Sequence, residues 1–531
     1  MDNRLKILTI FLLSIFAISY WGRGETLAHM SFFDGRLEVK GRFEIWNTWR
    51  IRIPRKEKDF HDTRLGCLLN AFQIEGLYHL VENRNLIINL FGYFRYYHEA
   101  APDIDRELRS GIDPWVRSRY QEHHFRDDDP IQELYIDIIT GPWTFRLGKQ
   151  IVVWGETGLK RTCDVVNPLD FRYGLPGVLE FEDMKTGIWM IKTMYESMLP
   201  ADLIFEVIWI PSDYENFKIP FEGTYLGAGL TGEMSDGLFT ELQKKWYEDE
   251  PGHQLKYGEG GLRIRGYSWN LDWTIEYFNT IDDTPSSRKG KLDIANTYPP
   301  IWMMTKPDSG IDPSVPLNIA QMYGFKNPQA VKDAWKSNRV FAYRRTQYFG
   351  ATFQTYVEAK WLKSIVRGEF VYQMGKKYAK KNYDTGAYYD IVERDAFNYG
   401  INISRPTFWP KWLMKLTGYR SITYTFQVFQ DWIFNHDHDL SISGRGRGDR
   451  NVTTLTFDTM CDFMKQTLTV VTKNLYDTSG TGYSVIAMVY GPGDHWRYDL
   501  GYINFYSFVD WEQESASHDK DFVYFKLRYE F

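Results

Sequence analysis

Two stretches gather side chains able to hold a divalent cation. His436-Asp437-His438-Asp439 packs two imidazoles and two carboxylates into four residues, and His123-His124 precedes Asp127, Asp128 and Asp129. Imidazole nitrogen and carboxylate oxygen suit a zinc-like ion, but such sites need donors converging in a closed shell. Both stretches lie between strand-like segments, where clustered polar side chains are ordinarily just solvated, so no metal is assigned. Hydrolytic chemistry finds no better footing, since no nucleophile elbow is present and no Ser–His constellation follows from spacing. Gly444-Arg445-Gly446-Arg447-Gly448 lacks the trailing Lys and Ser or Thr of a phosphate loop. Cys67, Cys163 and Cys461 stand at no metal or redox spacing, and so sparse and odd a count excludes a disulfide framework and c-type haem attachment while leaving room for one bridge. No cofactor is implied.

One constellation remains. Arg146 and Gln150 precede Trp154, Glu156, Asp164, Asn167, Asp170 and Asp183. A guanidinium ahead of a run of carboxylates suits charge-assisted docking of a segment onto a wall. That requires an element able to aim Arg146 and Gln150 in one direction.

Strands supply it. Period-two alternation, the mark of a strand with two unlike faces, recurs along most of the chain. From Tyr267 to Tyr277 the odd positions Tyr267, Trp269, Leu271, Trp273, Ile275 and Tyr277 oppose Ser268, Asn270, Asp272, Thr274 and Glu276. From Ser421 to Trp432, Ile422, Tyr424, Phe426, Val428 and Trp432 oppose Ser421, Thr423, Thr425, Gln427 and Asp431. Val523, Phe525, Leu527, Tyr529 and Phe531 alternate with Lys526, Arg528 and Glu530. Connections between such segments alternate too. Brief ones fall near Glu82 to Arg84, Thr140 to Pro142, Glu196 to Pro200, Ser268, Ala359 to Leu362, Pro406 to Leu416, Cys461 to Lys465 and Pro492 to His495. Long ones run Glu99 to Pro130, Trp154 to Met184, Pro211 to Lys256, Asp282 to Arg339, Gly375 to Gly386 and Phe434 to Asn451. A soluble sandwich would also alternate in polarity, whereas tight turns on one rim and long loops on the other mark a transmembrane barrel.

Composition agrees. Aromatic residues make up 17% of the chain, with 36 Tyr and 19 Trp, and their apolar bodies and polar tips suit the two interfaces of a membrane. A mean hydropathy of -0.43 and the lack of a long apolar run beyond the N-terminus exclude a bundle of membrane helices but not strands whose alternate residues are polar. The net charge of -6, with both signs mixed throughout, gives no reason to expect nucleic acid. Arg4 and Lys6, the apolar run from Ile7 to Ile18 and Thr26-Leu27-Ala28 read as a signal peptide over residues 1–28, with a single barrel over 29–531. The expected fold is an all-β, single-chain antiparallel barrel of about 18 strands in the cell outer membrane, with long extracellular loops and short periplasmic turns. The neighbouring count of 16 applies if the segment from Arg36 to Ile53 or the pair flanking Ser268 forms no strand. No internal repeat or low-complexity linker divides the chain.

On such a wall Arg146, Gly148 and Gln150 share a face opposite Phe145, Leu147 and Ile151, which aims Arg146 and Gln150 into the lumen. Gly148 leaves that face bare for another backbone. The connection from Trp154 to Met184, whose Asn167-Pro168-Leu169-Asp170 has turn chemistry, is expected to fold inward as a constriction with its acids docked on Arg146.

The residues from Phe145 to Pro211 also carry a resemblance. Arg146-Leu147-Gly148-Lys149-Gln150, Val153-Trp154-Gly155-Glu156, Gly158-Leu159, Asp164-Val165-Val166-Asn167-Pro168-Leu169-Asp170, Phe181-Glu182-Asp183 and Trp209-Ile210-Pro211 follow in an order that resembles the DUF1302 family, a bacterial outer-membrane group. The Arg-x-Gly-Lys-Gln strand is also similar to alginate-export and other specialised porin families. Gly174-Leu175-Pro176-Gly177 departs from the more acidic, apolar run expected at that point. The resemblance implies an outer-membrane barrel that moves hydrophobic or lipid-like compounds alongside an inner-membrane exporter or periplasmic carrier. The residues themselves point to a channel or carrier. A structural or adhesive barrel presenting surface loops is the alternative, and an outer-membrane hydrolase the more distant one. Expected partners are outer-membrane lipids and the barrel-assembly machinery, with Phe531 as the residue that machinery reads.

Overall fold

The computed structural model describes residues 30–51, 65–100, 130–157, 160–171, 182–213, 215, 248–249, 254–282, 286–287, 341–342, 344–359, 363–381, 388–408, 411–417, 421–441, 450–478, 480–507 and 521–531. Long amphipathic segments become strands that pair antiparallel with their neighbours in the chain: β1 (Leu37–Arg50), β2 (Leu65–Glu82), β3 (Ile87–Ala100), β4 (Ile131–Thr140), β5 (Trp143–Gln150), β6 (Ile188–Glu196), β7 (Ile204–Ile210), β8 (Glu259–Ser268), β9 (Leu271–Ile281), β10 (Arg345–Glu358), β11 (Lys363–Lys381), β12 (Tyr388–Phe408), β13 (Ser421–Ile433), β14 (Asn451–Phe463), β15 (Leu468–Asp477), β16 (Thr481–Tyr490), β17 (Trp496–Ser507) and β18 (Phe522–Glu530). The last strand returns to the first, with Arg42 opposite Glu530 and Arg50 opposite Phe522, so the 18-stranded sheet closes on itself. Closure pairs every wall strand on both sides and leaves no free sheet edge.

Alternation sorts the two faces. Leu147, Trp189, Trp209, Leu262, Ile275, Phe426 and Ile486 are exposed on the outside. Residues of the other parity turn inward, among them Glu206, Arg263, Glu276, Glu369, Gln427 and Arg528, all buried. A polar inner face under an apolar outer one inverts a soluble core and is the pattern of a wall between lipid and an interior.

Three details differ from the alternation pattern read along the chain. The apolar series from Tyr267 to Tyr277 is not one strand, because Trp269 and Asn270 take φ of 53° and 61° and form a two-residue hairpin turn. Tyr267 pairs with Asp272 and faces inward, while Leu271, Trp273, Ile275 and Tyr277 face out. Gly375, taken as the start of a long connection, lies within β11 at a bulge between Gln373 and Lys376. Pro406 lies within β12, opposite Thr423, and the chain turns through the short helix α1 (Lys411–Thr417). The segment from Arg36 and the pair flanking Ser268 both form strands, which gives 18 and not 16.

Residues 1–28, the His123-to-Asp129 cluster and the stretches Gly174 to Gly177 and Gly444 to Gly448 lie outside the described residues. Cys163 and Cys461 are free thiols, and the Cys67 side chain is likewise outside the description.

Candidate functional site

Between β5 and β6 the chain leaves the wall, and two glycines mark the departure and the return. Gly148 takes φ +138°, where a Cβ would lie 2.2 Å from the Leu134 carbonyl oxygen; at Gly187 a Cβ would lie 1.8 Å from that of Gln132. Only glycine lets the backbones approach so closely. The roots are tied by Asn167, which accepts the Val152 N–H at 2.8 Å and donates to the carbonyls of Gln150 at 3.1 Å and Thr186 at 2.8 Å. A buried amide with its bonds made in this way fixes shape as well as adding stability. Gln150 is also fully buried and donates to the Met190 carbonyl at 3.1 Å. The outgoing and returning legs pair through Asp170 N–H to Met184 O at 2.6 Å and Thr186 N–H to Pro168 O at 3.0 Å.

One arm of this loop crosses to the acidic side of the interior. Trp154 is fully buried, donates its indole N–H to Glu206 of β7 at 2.7 Å and meets Phe278 of β9 edge-on at 5.8 Å. Gly261 on β8 makes room for the ring, which approaches to 2.7 Å of where a Cβ would sit. Beyond it, the backbone N–H groups of Glu156, Thr157 and Cys163 all donate to the carboxylate of Glu369 on β11, the last at 3.1 Å. Lys160 reaches Asp431 of β13 at 2.6 Å. Within the loop Asp164 pairs with Lys185 at 2.5 Å, both buried, and accepts the Trp154 N–H at 3.3 Å.

The other arm lies against the basic side. Asp183 is bound by Arg42 of β1, while Arg95 of β3 donates to its carbonyl and stands 3.9 Å from its carboxylate. Below, Glu44 accepts from Arg528 at 2.9 Å and lies 3.3 Å from Lys526, all three buried. Leu169 and Met184 join an apolar cluster with the inward Trp46, Leu69, Ile503 and Phe522, and Val152, Trp154 and Val166 join another with Ile208 and Phe278. The described residues between β5 and β6 (151–157, 160–171 and 182–187) therefore form a strap, held at its roots on β5 and β6 and touching inward side chains of β1, β3, β7, β8, β9, β11, β13, β17 and β18.

Arg146 takes no part in that docking. It faces inward as alternation requires, but its guanidinium forms a two-pronged pair with Asp137 on the adjacent β4, at 2.7 and 2.8 Å, and lies 3.9 Å from the Tyr135 ring centre. The register explains this, since Asp137 is directly opposite Arg146 and needs no loop to reach it. The cations that hold the strap are Arg42 and Arg95, Arg263 of β8, which donates to the carbonyls of Val153 and Trp154 at 3.2 and 3.3 Å, and the strap's own Lys160 and Lys185. Sequence reading missed them together with Glu369; the available signal was a charged residue at mid-strand on a polar face. Phe531 is buried, exchanges both backbone hydrogen bonds with Gly41 on β1 at 2.8 and 2.9 Å, and lies 5.8 Å from the Phe43 ring. Asp437 is held by Arg394 at 2.7 Å and Lys380 at 3.0 Å, bonds that depress its carboxyl below the usual range, and Asp439 also faces Lys380 at 3.5 Å. These carboxylates are engaged with cations of the wall.

Among solved structures the chain is similar to Salmonella typhi OmpF in complex with daunomycin (8% identity, 94% of this chain and 100% of that one, TM-score 0.42), Acinetobacter baumannii OccAB4 (10%, 93% and 97%, 0.44) and Pseudomonas aeruginosa OpdK with vanillate (7%, 93% and 98%, 0.42). Such distant likenesses say nothing of what passes through this barrel. No curated protein matches. A family model described as "Protein of unknown function (DUF1302)" matches residues 94–531, and the chain belongs to that family.

Proposed function

We propose that this chain is an outer-membrane channel for small solutes in which the strap between β5 and β6 forms a fixed constriction. The observation that carries the reading is the double tether of one loop, at Asp183 on Arg42 and Arg95 and at Glu156, Thr157 and Cys163 on Glu369. Barrels of this strand number enclose water unless something fills them, and a strap bonded to widely separated strands narrows such a space without blocking the whole of it. The exposed apolar outer face supports a setting among outer-membrane lipids, with insertion by the barrel-assembly machinery. The inward apolar residues Trp46, Ile503 and Phe522 are covered by Leu169 and Met184. This favours a hydrophilic cargo over the lipid-like one implied by family resemblance.

The test is single-channel recording in planar bilayers. The native barrel should conduct, and a variant combining Asp183→Ala with Glu369→Ala should conduct severalfold more. A silent native barrel counts against the channel, and an unchanged variant against the constriction.

A further inference from the structure

Toward the short turns from the Glu206–Arg263–Glu276 row that packs under Trp154, the register sets Ile204, Arg265, Thr274 and Thr352 side by side across β7 to β10, with Tyr267, Asp272 and Gln354 in the following row. Glu156 of the strap joins them, and together they line a cavity of about 380 Å³, within the range of small-molecule sites. Its charges differ from those around it. Under the strap buried cations face carboxylates, as Arg263 does Glu276 and Lys185 does Asp164. Among the described residues, the side chains of Arg265, Asp272 and Glu156, and of Asp202, which also lines the cavity, have neither an ion pair nor a hydrogen bond. The neutral groups between them are fixed, with Thr274 bonded to Thr352 at 2.8 Å and Gln354 accepting from Arg367 at 2.5 Å.

We infer that this cavity is a subsite for a small zwitterion, whose anionic end lies on the Arg265 guanidinium and whose ammonium lies between Asp272 and Glu156. The inference rests on the channel reading. A guanidinium matches a carboxylate in a two-pronged geometry, and charge-assisted bonds are roughly twice as strong as neutral ones, so an uncharged polyol gains less here. A simple anion would meet the carboxylates of Glu156, Asp202 and Asp272, and a simple cation would meet the guanidinium. A molecule carrying both charges satisfies the guanidinium and the carboxylates together.

Liposome swelling with glutamine, xylitol and sodium succinate tests this on the purified barrel. Native protein should admit glutamine faster than xylitol or succinate. Arg265→Ala should lower the glutamine-to-xylitol ratio about fivefold, the value of one solvent-screened ion pair, and Arg265→Lys should restore part of it. Asp272→Asn should lower the same ratio and carries the test if Arg265→Ala fails to give a heat-modifiable, folded band. An unchanged ratio in a folded Arg265→Ala or Asp272→Asn barrel overturns the zwitterion subsite and leaves the channel standing. No swelling of native liposomes with any of the three solutes overturns both.

Discussion

The carboxylate of Glu369 accepts the backbone N–H of Cys163 at 3.1 Å, which joins β11 to a loop that left the wall at β5. It also takes the N–H groups of Glu156 and Thr157, and the thiol beneath is fully buried. Hydrogen bonds to a charged acceptor contribute about 1.5 to 3 kcal/mol each, so losing the acceptor should unseat this arm. In a Cys67→Ser, Cys461→Ser background, maleimide labelling of Cys163 should be slow, and Glu369→Ala should speed it by about tenfold or more. Equal labelling rates would show that the apolar contacts alone hold the arm.

Arg42 and Arg95 share Asp183, so their effects should not add. Either alanine variant alone should loosen the arm by up to about 3 kcal/mol, the low end for a broken buried pair, because the surviving arginine still holds the carboxylate. The double variant should raise single-channel conductance more than either. Arg146→Ala should leave conductance at the native value, because its partner is Asp137 on the wall. A rise with Arg146→Ala matching the double variant would contradict this division of roles.

Gly187→Ala should prevent accumulation of assembled barrel, since its Cβ would lie 1.8 Å from the Gln132 carbonyl oxygen. Overpacking against backbone costs about 1 to 3 kcal/mol or more, with no flexible side chain to yield. Gly76→Ala, where a Cβ meets nothing within 4 Å, is the control and should assemble normally. Heat-modifiable mobility on gels reads both.

Asp437 ties the segment around Leu440 and Ser441 to Lys380 and Arg394, while Ser441 pairs with Ala379 on β11. Because these bonds depress its pKa, their stabilisation is full above the ordinary aspartate value of about 3.9 and is lost as pH falls through the lower folded value. Deuterium uptake at Leu440, corrected for intrinsic exchange, should stay low from neutral pH to about pH 4 and rise below it. Asp437→Asn should raise it already at neutral pH. Uptake indifferent to both would remove the clamp.

Much of the wall was legible because lipid on one side imposes a strict period on every strand. The alternation of Val523, Phe525, Leu527 and Tyr529 against Lys526 and Arg528 reappears as outer and inner faces of β18. The turn at Trp269-Asn270 was concealed because a two-residue turn carries an apolar–polar rhythm straight through while exchanging the faces, and this pair lacks the usual Asn-Gly or Asp-Gly. The strap's Trp154, Asp164, Asn167 and Asp183 were visible as a group, but their partners were not. Arg42 lies 141 residues from Asp183, and Glu369 lies 206 from Cys163. Only closure of the barrel brings them together, and one chain without its register gives no measure of that.

The seam between β18 and β1 has a further consequence. The Phe531 ring occupies the space above Gly41, approaching to 2.5 Å of where a Cβ would sit, while the two backbones exchange hydrogen bonds. A slip by one residue would turn β18 inside out, and a slip by two, which keeps its faces, would press the ring onto the side chain of Val39 or Phe43. The ring and the gap it fills thus work as a peg and its socket: the join that turns a ribbon of hairpins into a tube accepts one alignment, and a mis-threaded cylinder has nowhere to seat its peg.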